Sequence, residues 1–233
     1  MKRFFLSILA IATFGFTYAQ TADEIVNKHV TAIGGLDAWK KVNSMVTTGT
    51  IKMQSAEIGV SQTILNGKGS RQDITAMGMS GYQIVTPVSG WNFMPFQGQK
   101  APEPITADEL KEAQDDLDVQ GSLIDYKAKG HTVEYLGTDD VEGVDAYKLK
   151  LTLKNGKVQT IFIDPKNYYI IRVITKQKAN GKEMEVTTNI SNYQKLPEGI
   201  MVPWSIGLPF GEMIISKVEI NKPVDENIFK PAK

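Results

Sequence analysis

The chain has no cysteine, only two histidines among 233 residues, and no surplus of charge of either sign. Without cysteine there are no disulfides, so an exported protein of this composition must hold its fold by core packing alone. The 26 Lys+Arg balance 26 Asp+Glu; removing Lys2 and Arg3 lowers the first to 24 and leaves a net of −2. That balance argues against a nucleic-acid partner, which normally calls for a basic footprint. His29 and His131 stand in no metal-ligand spacing such as H-E-x-x-H. No G-x-S-x-G elbow, P-loop or G-x-G-x-x-G occurs, and Gly78-Met79-Ser80-Gly81 lacks the closing glycine of the first. The distinctive side chains are Met, Trp and Phe rather than titratable groups. The reading is therefore a protein that is not an enzyme and uses no cofactor or metal. A pair of carboxylates for glycoside hydrolysis stays open, because spatial pairs are not visible in one sequence.

Long apolar runs are also scarce. The first is Phe4 to Phe16, preceded by Lys2-Arg3 and followed by Thr17-Tyr18-Ala19. Its length falls short of a bilayer span, and the order of charge, apolar run and small-x-small site is that of a signal peptide over residues 1–19. The mature chain, 20–233, then has about 214 residues, enough for one β-rich domain. With no cysteine at the new N-terminus it cannot carry a lipid anchor there. The expectation is a soluble exported monomer, in the periplasm if the envelope has two membranes.

The most regular pattern lies between Ala146 and Asn192. Tyr147, Leu149, Leu151 and Leu153 alternate with Lys148, Lys150, Thr152 and Lys154, the two-residue period of a half-buried strand. Asn155-Gly156 suits a two-residue hairpin turn, which would set Leu153 opposite Val158 and Leu149 opposite Phe162. Asp164-Pro165 ends the returning strand. A second turn at Asn180-Gly181 sets Lys178 opposite Glu183, Lys176 opposite Glu185 and Val173 opposite Thr188, so charges pair on one face and apolar groups gather on the other. Further strands are expected from Ser44 to Pro95, at 131–138 and from Ile200 to Ile220.

Two Thr-Ala-Asp-Glu boxes, at Thr21 and Thr106, read as helix N-termini in which threonine and glutamate satisfy each other's backbone amides. The first helix presents Ile25, Val26, Val30 and Ile33, with His29 at the edge of that stripe, and a second short helix is expected over Leu36 to Val42. The helix after Thr106 has Leu110, Ala113 and Leu117 on one face. Glu112, Asp115, Asp116 and Asp118 on the other lack the loop glycine and terminal glutamate of a calcium loop and read as a solvated face. Between Pro87 and Pro104 lies a dense group, Trp91, Phe93, Met94 and Phe96. With Met77 and Met79 these side chains suit an acyl-binding wall, since Met adapts its shape and large rings supply apolar area. The same residues would serve equally as filling between sheet and helix.

Several short stretches in order resemble the outer-membrane lipoprotein-sorting (LolA-like) family of periplasmic proteins. They are Ile25 through Ala32-Ile33-Gly34-Gly35 before a strand ending near Gly49, Gly90-Trp91 leading to Pro95, Asp125-Tyr126-Lys127-Ala128-Lys129-Gly130-His131, Gly143-Val144-Asp145-Ala146-Tyr147-Lys148-Leu149, Ile163-Asp164, and Phe229-x-Pro231. The resemblance covers nearly all the mature chain. It implies an α+β fold in which a single curved antiparallel sheet of about eleven strands forms a half-open barrel, with helices covering the concave face. It implies lipoprotein acyl chains or lipid as ligand, and membrane-associated donor and acceptor proteins as partners. The arginine that helps hold the lid closed in the carriers would fall near Arg71. The same fold serves envelope-stress regulators and lipid-binding lipoproteins, so an interaction module stands as the alternative to a carrier, with a hydrolase third.

Overall fold

The computed structural model describes residues 21–54, 56–179 and 182–232. The expected leader at 1–19 and the Asn180-Gly181 turn lie outside the described residues. The chain opens with helix α1 (Ala22–Ala32) and the short α2 (Leu36–Trp39), followed by β1 (Ser44–Lys52), β2 (Glu57–Leu65), β3 (Gly69–Ala76), β4 (Met79–Val85), β5 (Gly90–Phe93) and β6 (Glu103–Pro104). After α3 (Ala107–Glu112) come β7 (Thr132–Val141), β8 (Val144–Thr152), β9 (Val158–Ile163), β10 (Ile170–Ala179), β11 (Lys182–Lys195), β12 (Met201–Leu208) and β13 (Gly211–Ile220).

All thirteen strands form one antiparallel sheet in the order β6-β5-β4-β3-β2-β1-β13-β12-β11-β10-β9-β8-β7. Two meanders, β1 to β6 and β7 to β13, are thus joined where β1 pairs with β13. The outermost strands β6 and β7 do not pair with each other, and the sheet stays open. The strand count exceeds the expected eleven partly because Glu103–Pro104 pairs with β5. Proline is tolerated there because β6 is an edge strand, with no neighbour on its far side to require an amide.

The Ala146–Asn192 meander forms, with one change of register. β8 meets β9 with Thr152 opposite Val158, Leu149 opposite Ile161 and Lys148 opposite Phe162. The turn is one residue longer than a two-residue hairpin: Leu153 N donates to the Lys157 carbonyl at 2.8 Å and Gly156 N to that of Leu153 at 2.9 Å. Only Gly156 takes a positive φ, +91°, which is the geometry of a type I turn closed by a glycine bulge. Asn155 instead uses its side chain, accepting from Lys157 N and donating to Asp115. Since a one-residue slip exchanges faces, Leu149, Leu151, Leu153, Ile161 and Ile163 share the main core while Phe162 turns to the other side with Val141 and Ala146. The β10–β11 register is as expected, Lys178 opposite Glu183, Lys176 opposite Glu185 and Val173 opposite Thr188.

The main core lies between the sheet's inner face and a cover made of α1, α2 and residues 117–126. Both capping boxes form, at Thr21/Glu24 and Thr106/Glu109. Ile25, Val26, His29 and Val30 make the buried stripe of α1, so His29 is core rather than boundary. Trp39 anchors α2 by donating Nε1–H to the Ile33 carbonyl at 3.0 Å.

The outer face carries a second cluster, Tyr82, Ile84 and Phe229, flanked by Leu65, Trp91, Phe93 and Ile228. Here the C-terminal tail lies on the sheet, and Gly69 admits it: a Cβ at that position would stand 2.5 Å from the Phe229 ring. Ala232 N donates to the Tyr82 hydroxyl at 2.9 Å.

Candidate functional site

The register of the first meander sorts its side chains between the two faces. Met45 pairs with Ile64, Ile64 with Ser70, and Ser70 with Val85, and Met45 and Ile64 pack on the main core, which marks this row as inner. One residue along, Thr63 pairs with Arg71, Arg71 with Ile84 and Ile84 with Trp91, an outer row. Asp73, Tyr82 and Phe93 continue that face. The expected ligand group therefore divides. Trp91 and Phe93 lie on the outer face against the tail, with the Phe93 and Tyr82 ring centroids 5.6 Å apart. Met94 and Phe96 turn over the inner face, where Phe96 rests 3.1 Å from the place a Gly81 Cβ would take.

Met77 and Met79 occupy the β3–β4 hairpin end and are 86 % and 40 % exposed. They belong to a rim. Met53, Phe210 and Met184 project from the same end of neighbouring hairpins β1–β2, β12–β13 and β10–β11, each more than a third exposed. Arg71 is committed elsewhere. Its guanidinium grips Asp73 through two nitrogens, donates to the Ile228 carbonyl at 2.9 Å and lies 4.5 Å over the Tyr82 ring. It fastens the tail to the outer face.

Beside α1 and α2, residues 113–126 form a lid over the inner face, fastened by side chains and single backbone bonds. Gly67 N donates to the Leu117 carbonyl at 2.9 Å, and Val119 N to Asn66 Oδ1 at 3.3 Å. On the far side Asp115 pairs with Lys157 at 3.3 Å and Asp118 with Lys129 at 2.6 Å. Two of the four carboxylates expected on a solvated helix face are thus drawn into half-buried ion pairs that tie the lid to the tips of β7, β8 and β9. A cleft of about 540 Å³ runs between lid and hairpins, with His131 on its wall. His131 Nδ1 accepts from Lys154 N at 3.1 Å, and burial, then nearby Lys129, holds the ring below the usual histidine range.

Under α1 lies a smaller cavity of about 200 Å³, bounded by His29, Ile33, Trp39, Leu123, Tyr193 and Met201 among others. His29 is 3 % exposed. Its Nδ1 lies 2.8 Å from the Tyr168 carbonyl, which can only accept, so the proton sits on Nδ1 and Nε2 is left bare. Burial lowers the pKa of this histidine to about 4. Tyrosines gather beside it: Tyr169 stacks on Tyr193 at 4.4 Å and Tyr147 on Tyr168 at 6.0 Å. Burial raises the Tyr193 phenol. At the open end of α1, Asp23 accepts from Tyr126 and Lys127, which lowers its pKa, while burial and Asp23 push Tyr126 up to about 12.

One feature of the inner face has no counterpart in the sequence reading. Thr47 pairs with Gln62, Gln62 with Gln72, Gln72 with Gln83 and Gln83 with Asn92. Carboxamides thus cross four adjacent strands in one row, between the apolar rows of Ile64/Val85 and Val60/Ile74. Successive members are 9 to 15 positions apart in the chain, so only the hairpin registers align them. The two-residue period in each strand is the signal that would have found them.

No family model matches the chain, and no curated protein does. Solved structures do. A putative outer membrane lipoprotein-sorting protein domain from Vibrio parahaemolyticus superposes with a TM-score of 0.52 at 14 % identity, over 88 % of this chain and 94 % of that one. A LolA superfamily protein from Nitrosomonas europaea gives 0.55 at 17 % identity, covering 91 % and 98 %. A DUF1329 family protein from Desulfovibrio piger gives 0.56 at 12 %, again over 91 % and 98 %. With one open, curved antiparallel sheet and helices over its inner face, the chain has a LolA-like fold.

Proposed function

We propose that this protein is an exported periplasmic carrier or binding protein for lipidated ligands, lipid or the acyl chains of a lipoprotein, held between the lid and the inner face of the sheet. The observation that carries the reading is the lid itself. It covers an apolar sheet face yet is joined to the hairpins by a few side-chain and backbone bonds rather than by strand pairing, so it can lift without breaking the sheet. Leu117, Val119, Leu123 and Ile124 of the cover are buried and would be exchanged for acyl chain when it does. Similarity in fold to a lipoprotein-sorting domain supports the same reading. Met94 and Phe96 are the members of the aromatic group that would meet such a ligand from the inner side.

The test is native mass spectrometry of the purified chain after incubation with phospholipid vesicles, alongside displacement of a fluorescent fatty acid. The expected result is one lipid-sized adduct per chain and saturable displacement. A second reading, an interaction module that senses the state of the envelope, is favoured by the exposed rim of Met53, Met77, Met184 and Phe210. Retention of one protein partner with no uptake of lipid would select that reading and refute the carrier.

A further inference from the structure

The row of carboxamides has no structural work inside the protein. Thr47, Gln62, Gln72, Gln83 and Asn92 are all half-buried, and strands stand about 4.8 Å apart, so the row is about 19 Å long. Amides in neighbouring strands can hydrogen-bond one another as a ladder. Here they do not: among the described residues, no side-chain hydrogen bond to Gln62, Gln72, Gln83 or Asn92 is present, and Asn92 Oδ1 is buried with no donor. A polar group removed from water without a partner destabilises a fold. An apolar residue at these inner positions, like Val60 or Val85 beside them, would pack better if the face only had to receive the lid or a hydrocarbon chain.

The chemistry of the row defines what would satisfy it. It is neutral, so a carboxylate or phosphate placed there would be desolvated without a counter-charge. The three glutamines offer N–H donors to carbonyl oxygens, and the bare Asn92 oxygen needs an N–H or O–H. An ester carbonyl supplies only the first; a secondary amide supplies both in one planar group. The flanking rows, Met45, Ile64, Ser70 and Val85 on one side and Val60 and Ile74 on the other, are apolar but for Ser70 and would take the chains attached to it.

We propose that this row binds the amide junction of an N-acylated amphiphile, with its hydrocarbon on the neighbouring apolar rows. The proposal rests on the lipid-binding reading and narrows it from acyl chains in general to amide-linked ones. One hydrogen bond to an otherwise orphaned buried acceptor corresponds to a preference of roughly tenfold.

The experiment is displacement of one fluorescent lipid probe from the mature chain by three competitors with the same acyl chain: a neutral N-acyl glycine ester, the simple ethyl ester and the free acid. The amide is expected to compete about tenfold better than the ester, with the free acid weakest at neutral pH. In Asn92→Leu, which removes the orphaned acceptor, the preference should vanish while the ester binds as well or better. Gln83→Met, which keeps the length but loses the donors, should lower amide and ester affinity alike by several-fold and leave the preference between them. Equal competition by amide and ester in the wild type, or a preference that survives in Asn92→Leu, overturns the proposal and leaves the carrier reading standing. Failure of all three competitors and of the probe to bind overturns both.

Discussion

Acid should destabilise this protein chiefly through the buried His29, whose pKa is lowered to about 4, before the carboxylates matter. His29 is packed between α1 and the cavity floor, its Nδ1–H spent on the Tyr168 carbonyl at 2.8 Å. A second proton would have to go on Nε2 of a ring that is almost wholly buried, where burial disfavours the cation and sets the folded pKa near 4. In the unfolded chain the group titrates near 6.5. Because the folded value is the lower one, stability is intact above pH 6.5, falls as the unfolded chain alone takes the proton, and has lost its full increment below pH 4. The gap corresponds to about 3 kcal/mol, or roughly 6–12 °C in melting temperature for a chain of this size. Carboxylates whose pKa is depressed, such as Asp23 and Asp139, act below their unfolded values near 4 and fall outside most of the window. The assay is urea denaturation at half-unit pH steps from 7.5 to 4, for wild type and His29→Leu. The variant should start about 1–3 kcal/mol lower at neutral pH, since it removes the buried hydrogen bond from His29 to the Tyr168 carbonyl, and should then lose far less than wild type across the window. Parallel losses in the two proteins would refute the assignment and shift it to His131 or to the carboxylates.

Two further outcomes follow from the outer face and the lid. Gly69→Ala should force Phe229 off the sheet at a cost of about 1–3 kcal/mol, raising hydrogen exchange across 224–232 with little change in the rest of β3; retained protection of the tail would contradict the packing described. Lys129→Ala combined with Lys157→Ala removes two half-buried ion pairs, each contributing about 1 kcal/mol or less, so exchange over 113–124 should rise while the melting temperature moves by only a few degrees. An unchanged lid would refute a fastening role for the ion pairs and leave it to the hydrogen bonds at Gly67, Asn66 and Asn155.

Local pattern alone determined much of this protein. The alternation of Tyr147, Leu149, Leu151 and Leu153 sets which side of β8 is apolar whatever it packs against, and the Lys176/Glu185 and Lys178/Glu183 pairs admit one register for β10 and β11. Both capping boxes are complete within four residues, so the two helix starts were legible as well. What the sequence left undecided has one physical cause: contacts between residues distant in the chain. The Asn155-Gly156 turn took an extra residue because Asn155 is held by Asp115 of the lid, a partner 40 positions away. Asp115 and Asp118, polar on a helix projection, became ion pairs when the lid met the hairpin tips. His29, beside an apolar stripe in projection, became core because the β9–β10 loop closed over it.

The division of the aromatic group has the same origin. Trp91 and Phe93 differ from Asn92 by one residue, and a strand must send them to opposite faces. The sequence by itself therefore determined the alternation, but which face would be inner was decided only when α1 and the lid settled on one side and the tail, through Phe229 and Arg71, on the other. The carboxamide row was set in the same way. Its members are polar residues in separate strands until four hairpin registers, each fixed by its own turn and apolar rows, bring them into line on the face that the lid covers.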